Sequence, residues 1–287
     1  MIKLFLPAKK YAAISITGAS CQLNCLYCGG KYLLGMLNAG SPGQLKALAR
    51  RLKKKGVEGV LISGGFTLEG KLPFKPFLDA IRYIKKRLGM VVSIHPGLID
   101  RDEAKELRRA GVDVVDFELI LDPYVISFLK RLKGRRPEDY INSLKALFDE
   151  GPYYVAPHVP IGLNFGSISE YEFYSLNILS DYNPHVTVLI IFIPTYGTPM
   201  SGAKHPGRDD VIEIFMAARA GLRGELALGC MRPRGLRGDL ELRLVRVGLV
   251  DRIAVPVPKL LGETHKIYGA CCSLPNELLD RFLIQPT

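Results

Sequence analysis

Short β-branched runs alternate with longer segments of helical period along almost all of this 287-residue chain. That alternation limits its fold more than any other feature. Strands buried on both faces read as continuous apolar runs, and residues 186–193 (VTVLIIFI) are such a run. The pattern predicts strands over residues 13–17, 60–63, 91–95, 112–121, 153–163, 186–193, 225–229 and 252–255. Helix signals lie between them. Ser41 and Pro42 open a helix whose Leu45, Leu48, Ala49 and Leu52 share one face, and Gly56 ends it. Phe77, Ile81, Ile84 and Leu88 mark a second helix, and Asp100 with Glu103 has capping-box spacing for a third. Further helices are expected over 137–148 and 170–179, from a cap at Asp209, and over 239–247. Eight such βα units argue an α/β fold, a (βα)8 barrel of the TIM type, closed or incomplete, rather than an open doubly wound sheet. The pattern stops near Pro258. Residues 1–258 read as one barrel, and residues 259–287 as a tail that folds toward the barrel mouth without forming a domain of its own.

The composition, 48% hydrophobic and 23% charged, excludes disorder. No apolar run approaches the ~18 residues of a membrane span. The first residues, MIKLFLPAKKYAA, hold too short an apolar stretch for a signal peptide and no small-residue cleavage site. A cytoplasmic location is therefore expected, where thiols stay reduced. The six cysteines then need a reason other than disulfides.

They fall into two sets of three: Cys21, Cys25 and Cys28 within eight residues, then Cys230, Cys271 and Cys272 near the end. Barrel chemistry sits at the C-terminal ends of the strands. The first set follows strand one, Gly64 and Gly65 follow strand two, His95 ends strand three, and Cys230 ends strand seven. All should meet on one rim. The first set has the spacing C-x3-C-x2-C. Iron–sulfur cubes are held by thiolates, so three cysteines leave the fourth iron of a 4Fe–4S cluster open to a small molecule. The alternatives are a zinc knuckle on Cys25 and Cys28, or free buried thiols.

The stretch 14–30 (ISITGASCQLNCLYCGG) resembles the signature of radical S-adenosylmethionine enzymes. The resemblance implies that Cys21, Cys25 and Cys28 hold the cluster and act in catalysis, that S-adenosylmethionine occupies the open iron, and that Tyr27 touches its adenine. In that family one electron from the cluster cleaves the sulfonium and yields a 5′-deoxyadenosyl radical. Gly64 and Gly65 resemble the glycine motif that receives the methionine amino group, although Phe66 stands where many members have Glu. Gly162 to Gly166, with Glu170 beyond, loosely resembles the adenine-side motif. His95 and Glu118, at strand ends, are placed to reach the ribose or carboxylate of the same cofactor.

The second set reads either as three buried small hydrophobes or as ligands of an auxiliary iron–sulfur cluster, with Ser273 as a fourth ligand. A folded-back tail would bring Cys271 and Cys272 to Cys230. A radical generator facing a sacrificial cluster can insert sulfur at an unactivated carbon, as biotin synthase and lipoyl synthase do. Residues 188–200 (VLIIFIPTYGTPM), 158–166 and the Cys-Met-Arg-Pro-Arg segment from Cys230 to Arg234 resemble that branch. The last segment and the Cys271-Cys272 pair look most like the archaeal two-protein lipoyl synthase. This implies a component that inserts sulfur into a protein-bound octanoyl chain, with a second related radical enzyme as partner and a reductant such as ferredoxin. A radical enzyme acting on a small molecule without sulfur transfer is the alternative, and a non-enzymatic iron–sulfur or zinc module stands behind it.

Basic residues outnumber acidic ones, 39 to 28, for a net charge of +11. The basic runs lie on helices and loops, aromatics do not interleave with them, and no nucleic-acid module is present, so neither nucleic acid nor membrane is the expected partner. An acidic octanoylated carrier protein fits the charge, with Arg232, Arg234 and Arg237 beside Cys230 as the expected steering groups.

Overall fold

The computed structural model describes residues 2–7, 9–262 and 265–284. Its strands are β1 (Lys3–Phe5), β2 (Tyr11–Ser15), β3 (Leu37–Asn38), β4 (Gly59–Ser63), β5 (Val91–Ile94) and β6 (Val114–Glu118). They continue as β7 (Tyr154–Ile161), β8 (Val186–Ile191), β9 (Glu225–Leu228), β10 (Arg252–Ala254), β11 (Lys266–Tyr268) and β12 (Leu283–Ile284). The sheet has 12 strands in the order β12-β11-β1-β10-β9-β8-β7-β6-β5-β4-β2-β3. Every pairing is parallel except β11 with β12. The fold is thus an α/β half-barrel, a parallel sheet curled on itself.

The eight expected strands form the run from β2 to β10 in chain order, apart from the two-residue β3. Strand one lies earlier than its pattern suggested, at Tyr11–Ser15, because residues 16 and 17 already turn into the cysteine loop. The expectation omitted β1, β11 and β12, whose two or three residues carry no readable period. They extend one edge of the sheet past β10. There the two edges meet without a ladder: Lys10 N donates to Gly269 O at 3.1 Å, and the Tyr11 and Phe282 rings lie 5.7 Å apart.

Helices α1 (Pro42–Lys54), α2 (Leu78–Leu88), α3 (Arg101–Ala110), α4 (Pro137–Glu150), α5 (Glu170–Tyr182), α6 (Arg208–Gly221) and α7 (Asp239–Arg246) cover the outside. Ser41 caps α1 by accepting from Gln44 N, and Asp100 with Glu103 forms the expected capping box on α3. Asp209 is not the cap of α6. Gly207 holds that place, and the Asp210 carboxylate accepts its N–H at 3.0 Å.

Alternation along the strands decides what enters the lumen. Ile62, Ile94, Val115, Phe117 and Val155 join the core under the helices. Lumen-facing positions near the strand N-termini, with Tyr11, Val91, Val114, Ala156 and Val186, form a second apolar cluster with Cys272, Leu274 and Phe282 of the tail. The tail therefore folds back into the barrel, and it builds the floor of the lumen. Arg252, fully buried at the start of β10, donates to the carbonyls of Cys272 (2.8 Å) and Leu274, to Asn276 Oδ1 (3.0 Å) and to Glu225. His185, just before β8, adds a contact of 2.8 Å from Nε2 to the Ser273 carbonyl.

Candidate active site

The cysteine loop after β2 is braced from three sides. Toward β4, Gln22 N donates to Phe66 O at 3.0 Å and Gly65 N to Thr17 Oγ1 at 2.6 Å. After β6, Leu26 N donates to Leu129 O at 2.9 Å and the Cys25 thiol to Lys130 O at 3.5 Å. After β8, Met200 N donates to Leu26 O at 3.4 Å, and Tyr32 and Thr195 share a 2.7 Å hydroxyl contact. The segment 125–129 is one wide helical turn, closed by Lys130 N to Val125 O at 2.8 Å, and such turns recur at functional sites.

Gly65 is required where it stands. A Cβ there would strike the Ser20 carbonyl and come within 2.5 Å of Cys21 Cα. The glycine allows the cysteine loop to lie against the end of β4. Its N–H donates to Thr17, and an amino group, itself a donor, would be received by a carbonyl of the pair. Gly162 is differently placed: its φ is +71°, its N–H donates to Glu172 Oε1 at 3.0 Å, and Pro206 fills the space where a side chain would go. The acidic partner of this turn is Glu172, while Glu170 begins α5.

Cys25 hydrogen-bonds Cys28, which draws the Cys28 thiol down and, with burial, pushes Cys25 well up. Cys21 lies within electrostatic reach of Cys28. Burial pushes up the Tyr27 phenol, whose charged neighbours are Cys25, Glu118 and Cys28. Glu118 ends β6 and is paired with Lys130, whose side chain is almost wholly buried over the Tyr140 ring at 5.8 Å. Burial alone would lower the Lys130 ammonium, but Glu118 outweighs it and holds it above the ordinary range. His95 directly follows β5. Its Nδ1 lies 3.4 Å from Ser63 Oγ and its Nε2 3.8 Å from Asp116 Oδ2. Burial lowers the His95 ring against the opposing pull of Asp116.

The turn after β9 and the tail carry the other cysteines. Cys272 is buried, Cys271 partly so, and Cys230 is accessible from the lumen yet has enough protein around it to desolvate a thiolate. Cys230 and Cys271 sense each other's charge, and Cys272 senses both. Burial pushes the Cys230 thiol up to about 11, with Cys271 adding to it. A hydrogen bond from Cys272 lowers Cys271, assisted by the Ser273 hydroxyl, which donates to its sulfur at 3.2 Å. Ser273 is itself fully buried. Its hydroxyl therefore tunes Cys271.

Arg232 corrects the sequence expectation. It is 4% exposed, donates to Glu241 Oε1 at 2.7 and 3.0 Å and to Gly229 O at 2.6 Å, and so fixes the turn after β9. It steers nothing. Arg237 leans on the same Glu241 at 3.6 Å, which leaves Arg234 as the exposed one of the three. Asp116, His158, Lys130 and Arg252 were missed. The alternation Asp116-Phe117-Glu118 was the one available signal, since it puts both carboxylates on the lumen face.

The radical SAM superfamily model matches residues 15–170, from the end of β2 to the start of α5. The chain belongs to the radical SAM superfamily. It is similar to 3-methylornithine synthase of Methanosarcina barkeri, 23% identical over 85% of this chain and 67% of that protein. It is also similar to biotin synthase of Paramagnetospirillum magneticum, 23% identical over 72% of this chain and 63% of that one. The chain thus spans about two thirds of the length of these relatives. In fold it is similar to methylornithine synthase (TM-score 0.59, 17% identity, 96% of this chain and 77% of that one). The hydrogenase maturase HydG of Carboxydothermus hydrogenoformans gives TM-score 0.64 at 16% identity, over 88% of this chain and 58% of that one.

Membership implies a 4Fe–4S cluster and S-adenosylmethionine. The residues fit them. Three thiols on one braced loop, one of them drawn toward the thiolate, lie beside a glycine cradle and open onto a lumen with polar walls. Among the described residues no helix is long and apolar enough to cross a membrane.

Proposed function

We propose that this radical SAM enzyme inserts sulfur into an octanoyl chain carried on an acidic protein, as one component of a two-protein lipoyl synthase. The observation that supports this reading is that the folded-back tail brings Cys271 and Cys272 within electrostatic reach of Cys230, in the turn after β9. Two thiol sets, one on the loop after β2 and one shared by the turn after β9 and the tail, suit a radical source and a sulfur source. The similarity to biotin synthase supports the same branch.

In this reading Cys21, Cys25 and Cys28 hold the 4Fe–4S cluster, and Cys230, Cys271 and Cys272 hold an auxiliary one. When bound, the first cluster and S-adenosylmethionine supply a hydrogen-abstracting radical, and the auxiliary cluster supplies sulfur. The chain's own residues position. Tyr27, the carbonyls of Gly64 and Gly65, His95 and Glu118 line the cofactor's side, and the turn at Gly162 shapes the wall beside it. Arg252 pins the tail backbone beneath Cys272, and Ser273 holds Cys271 in its donor state.

The loops at the mouth suit a protein substrate. Lys31, Arg131, Lys204 and Arg234 are exposed there, interspersed with exposed Leu34, Phe128, Phe165 and Tyr196. A second reading, rearrangement of a small molecule without sulfur transfer, is favoured by the 85% coverage of the 3-methylornithine synthase match.

One experiment separates them. The protein is reconstituted anaerobically, alone and with a related radical enzyme as partner, and an octanoylated carrier is weighed by mass spectrometry after reaction with reductant. Sulfur gain by the carrier, and iron above about four per chain that falls to about four in the Cys230→Ser/Cys271→Ser/Cys272→Ser variant, is the expected result. Iron near four in both proteins with an unmodified carrier would overturn the proposal.

A further inference from the structure

Midway down the lumen stands a carboxylate that the two cysteine sets do not explain. Asp116 has a fully buried side chain, and neither of its oxygens has a hydrogen-bond partner among the described residues. The approach of His95 Nε2, at 3.8 Å, is too long for a hydrogen bond. His95, His185, Tyr11, Cys230 and Cys271 sense its charge, and none of these is a permanent cation. A buried, unpaired carboxylate costs several kcal/mol, so this position calls for a positive ligand.

The neighbours supply the rest of a donor set. One ligand atom each from His95, Asp116 and His158 lies within 4.8 Å of the others, and the group contains no cysteine. Both rings are oriented from behind. His158 Nδ1 faces the Ala156 carbonyl at 3.0 Å, which fixes the proton there and leaves Nε2 with its lone pair. His95 Nδ1 faces Ser63 Oγ, which leaves Nε2 on the Asp116 side. Metal-bound histidines are held in this way, with the second nitrogen engaged by a carbonyl or hydroxyl. The rings cross edge-to-face at 5.7 Å, and the His95 side chain is 35% exposed, so the cluster opens to the lumen.

We propose that His95, Asp116 and His158 form a mononuclear site for a divalent first-row transition metal, distinct from both cysteine sets. Two imidazoles and one carboxylate on one side of the ion are the donor set that suits iron(II), with the remaining coordination positions open. The site is independent of whether the second cysteine set holds a cluster.

Cobalt(II) is the probe. The cluster-reconstituted protein is equilibrated with cobalt(II), freed of excess, and assayed for cobalt, iron and sulfide. The wild-type chain is expected to retain about one cobalt and to melt at a higher temperature with it. Asp116→Asn and His158→Gln should each weaken cobalt binding at least about tenfold while iron and sulfide stay unchanged. Cys230→Ser and Cys271→Ser should retain cobalt. No stoichiometric cobalt, equal retention in the Asp116 and His158 variants, or loss confined to the cysteine variants would each overturn the site. Should Asp116→Asn fail to fold, His158→Gln and the melting shift of the wild-type protein decide.

Discussion

A methyl group at residue 65 has nowhere to go: Cys21 Cα would lie at 2.5 Å and Cys21 Cβ at 2.6 Å. Gly65→Ala is therefore expected to displace the cysteine loop while the sheet survives. Iron at the first triad and 5′-deoxyadenosine formation should fall more than about tenfold, whereas Gly35→Ala, with nothing within 4 Å, should leave both unchanged. Equal behaviour of the two variants in an anaerobic assay would refute the role of the close approach. Lys130 makes a second prediction. Its removal as Lys130→Met leaves Glu118 half-buried and unpaired, at a cost of about 3 kcal/mol in denaturant unfolding. Adding Glu118→Gln should return part of that loss. The Cys21–Cys28 spacing and the glycine pair were legible because each is a local pattern. Lys130 was not, since it opens a basic run that reads as solvated surface, and only the turn at 125–129 carries it under Tyr140. Asp116 was half legible: strand alternation places it in the lumen, but its lack of a partner depends on strands far apart in the sequence.

One side chain makes most of the polar contacts that fix residues 272–276 of the tail. Arg252 binds two tail carbonyls, Asn276 and Glu225, and has no exposed surface. Arg252→Met should release the segment that carries Cys271 and Cys272, and both thiols should then react with an alkylating reagent that spares them in the wild-type chain. Unchanged labelling would show that the tail stays docked without Arg252. Burial by itself would raise the Glu225 carboxyl, but Arg252 and Lys3 outweigh it and hold it at about 2 against an ordinary 4.5. A depressed carboxylate contributes its stability above the unfolded value and loses it as pH falls toward the folded one. Urea midpoints of the wild-type protein should thus drop between about pH 4.5 and about pH 2, and Glu225→Gln should start lower and drop less. A parallel decline would assign the acid sensitivity elsewhere. Helix starts were readable in the sequence from Ser41, Asp100 and Glu103, because a cap is a bond between near neighbours. β1 and β11 were not, because each is fixed by the other across the whole chain.

At the scale of the molecule, the count of eight βα units gave the curl of the sheet, and the positions of the first cysteine set and of Cys230 at strand ends followed from it. How the edges meet did not, since Gly269 reaches Lys10 through a tail without period. The assembled mouth carries charge and apolar side chains that no single segment displays. Lys31 follows the cysteine loop, Arg131 the turn after β6, and Lys204 the loop after β8, and all three are exposed. An acidic carrier approaching this rim would be steered by long-range attraction, which acts on association and weakens with salt. Charge reversal at Lys31 and Arg131 is expected to slow carrier modification about tenfold at low ionic strength and much less at high salt. S-adenosylmethionine cleavage without carrier should stay at its wild-type rate, because neither side chain lines the lumen. Reversal at Lys54, exposed on α1 away from the mouth, changes the net charge as much as either single rim reversal and should leave carrier modification intact. If the Lys54 variant slows the reaction as much per charge, attraction to the whole basic chain suffices and the rim has no directing role.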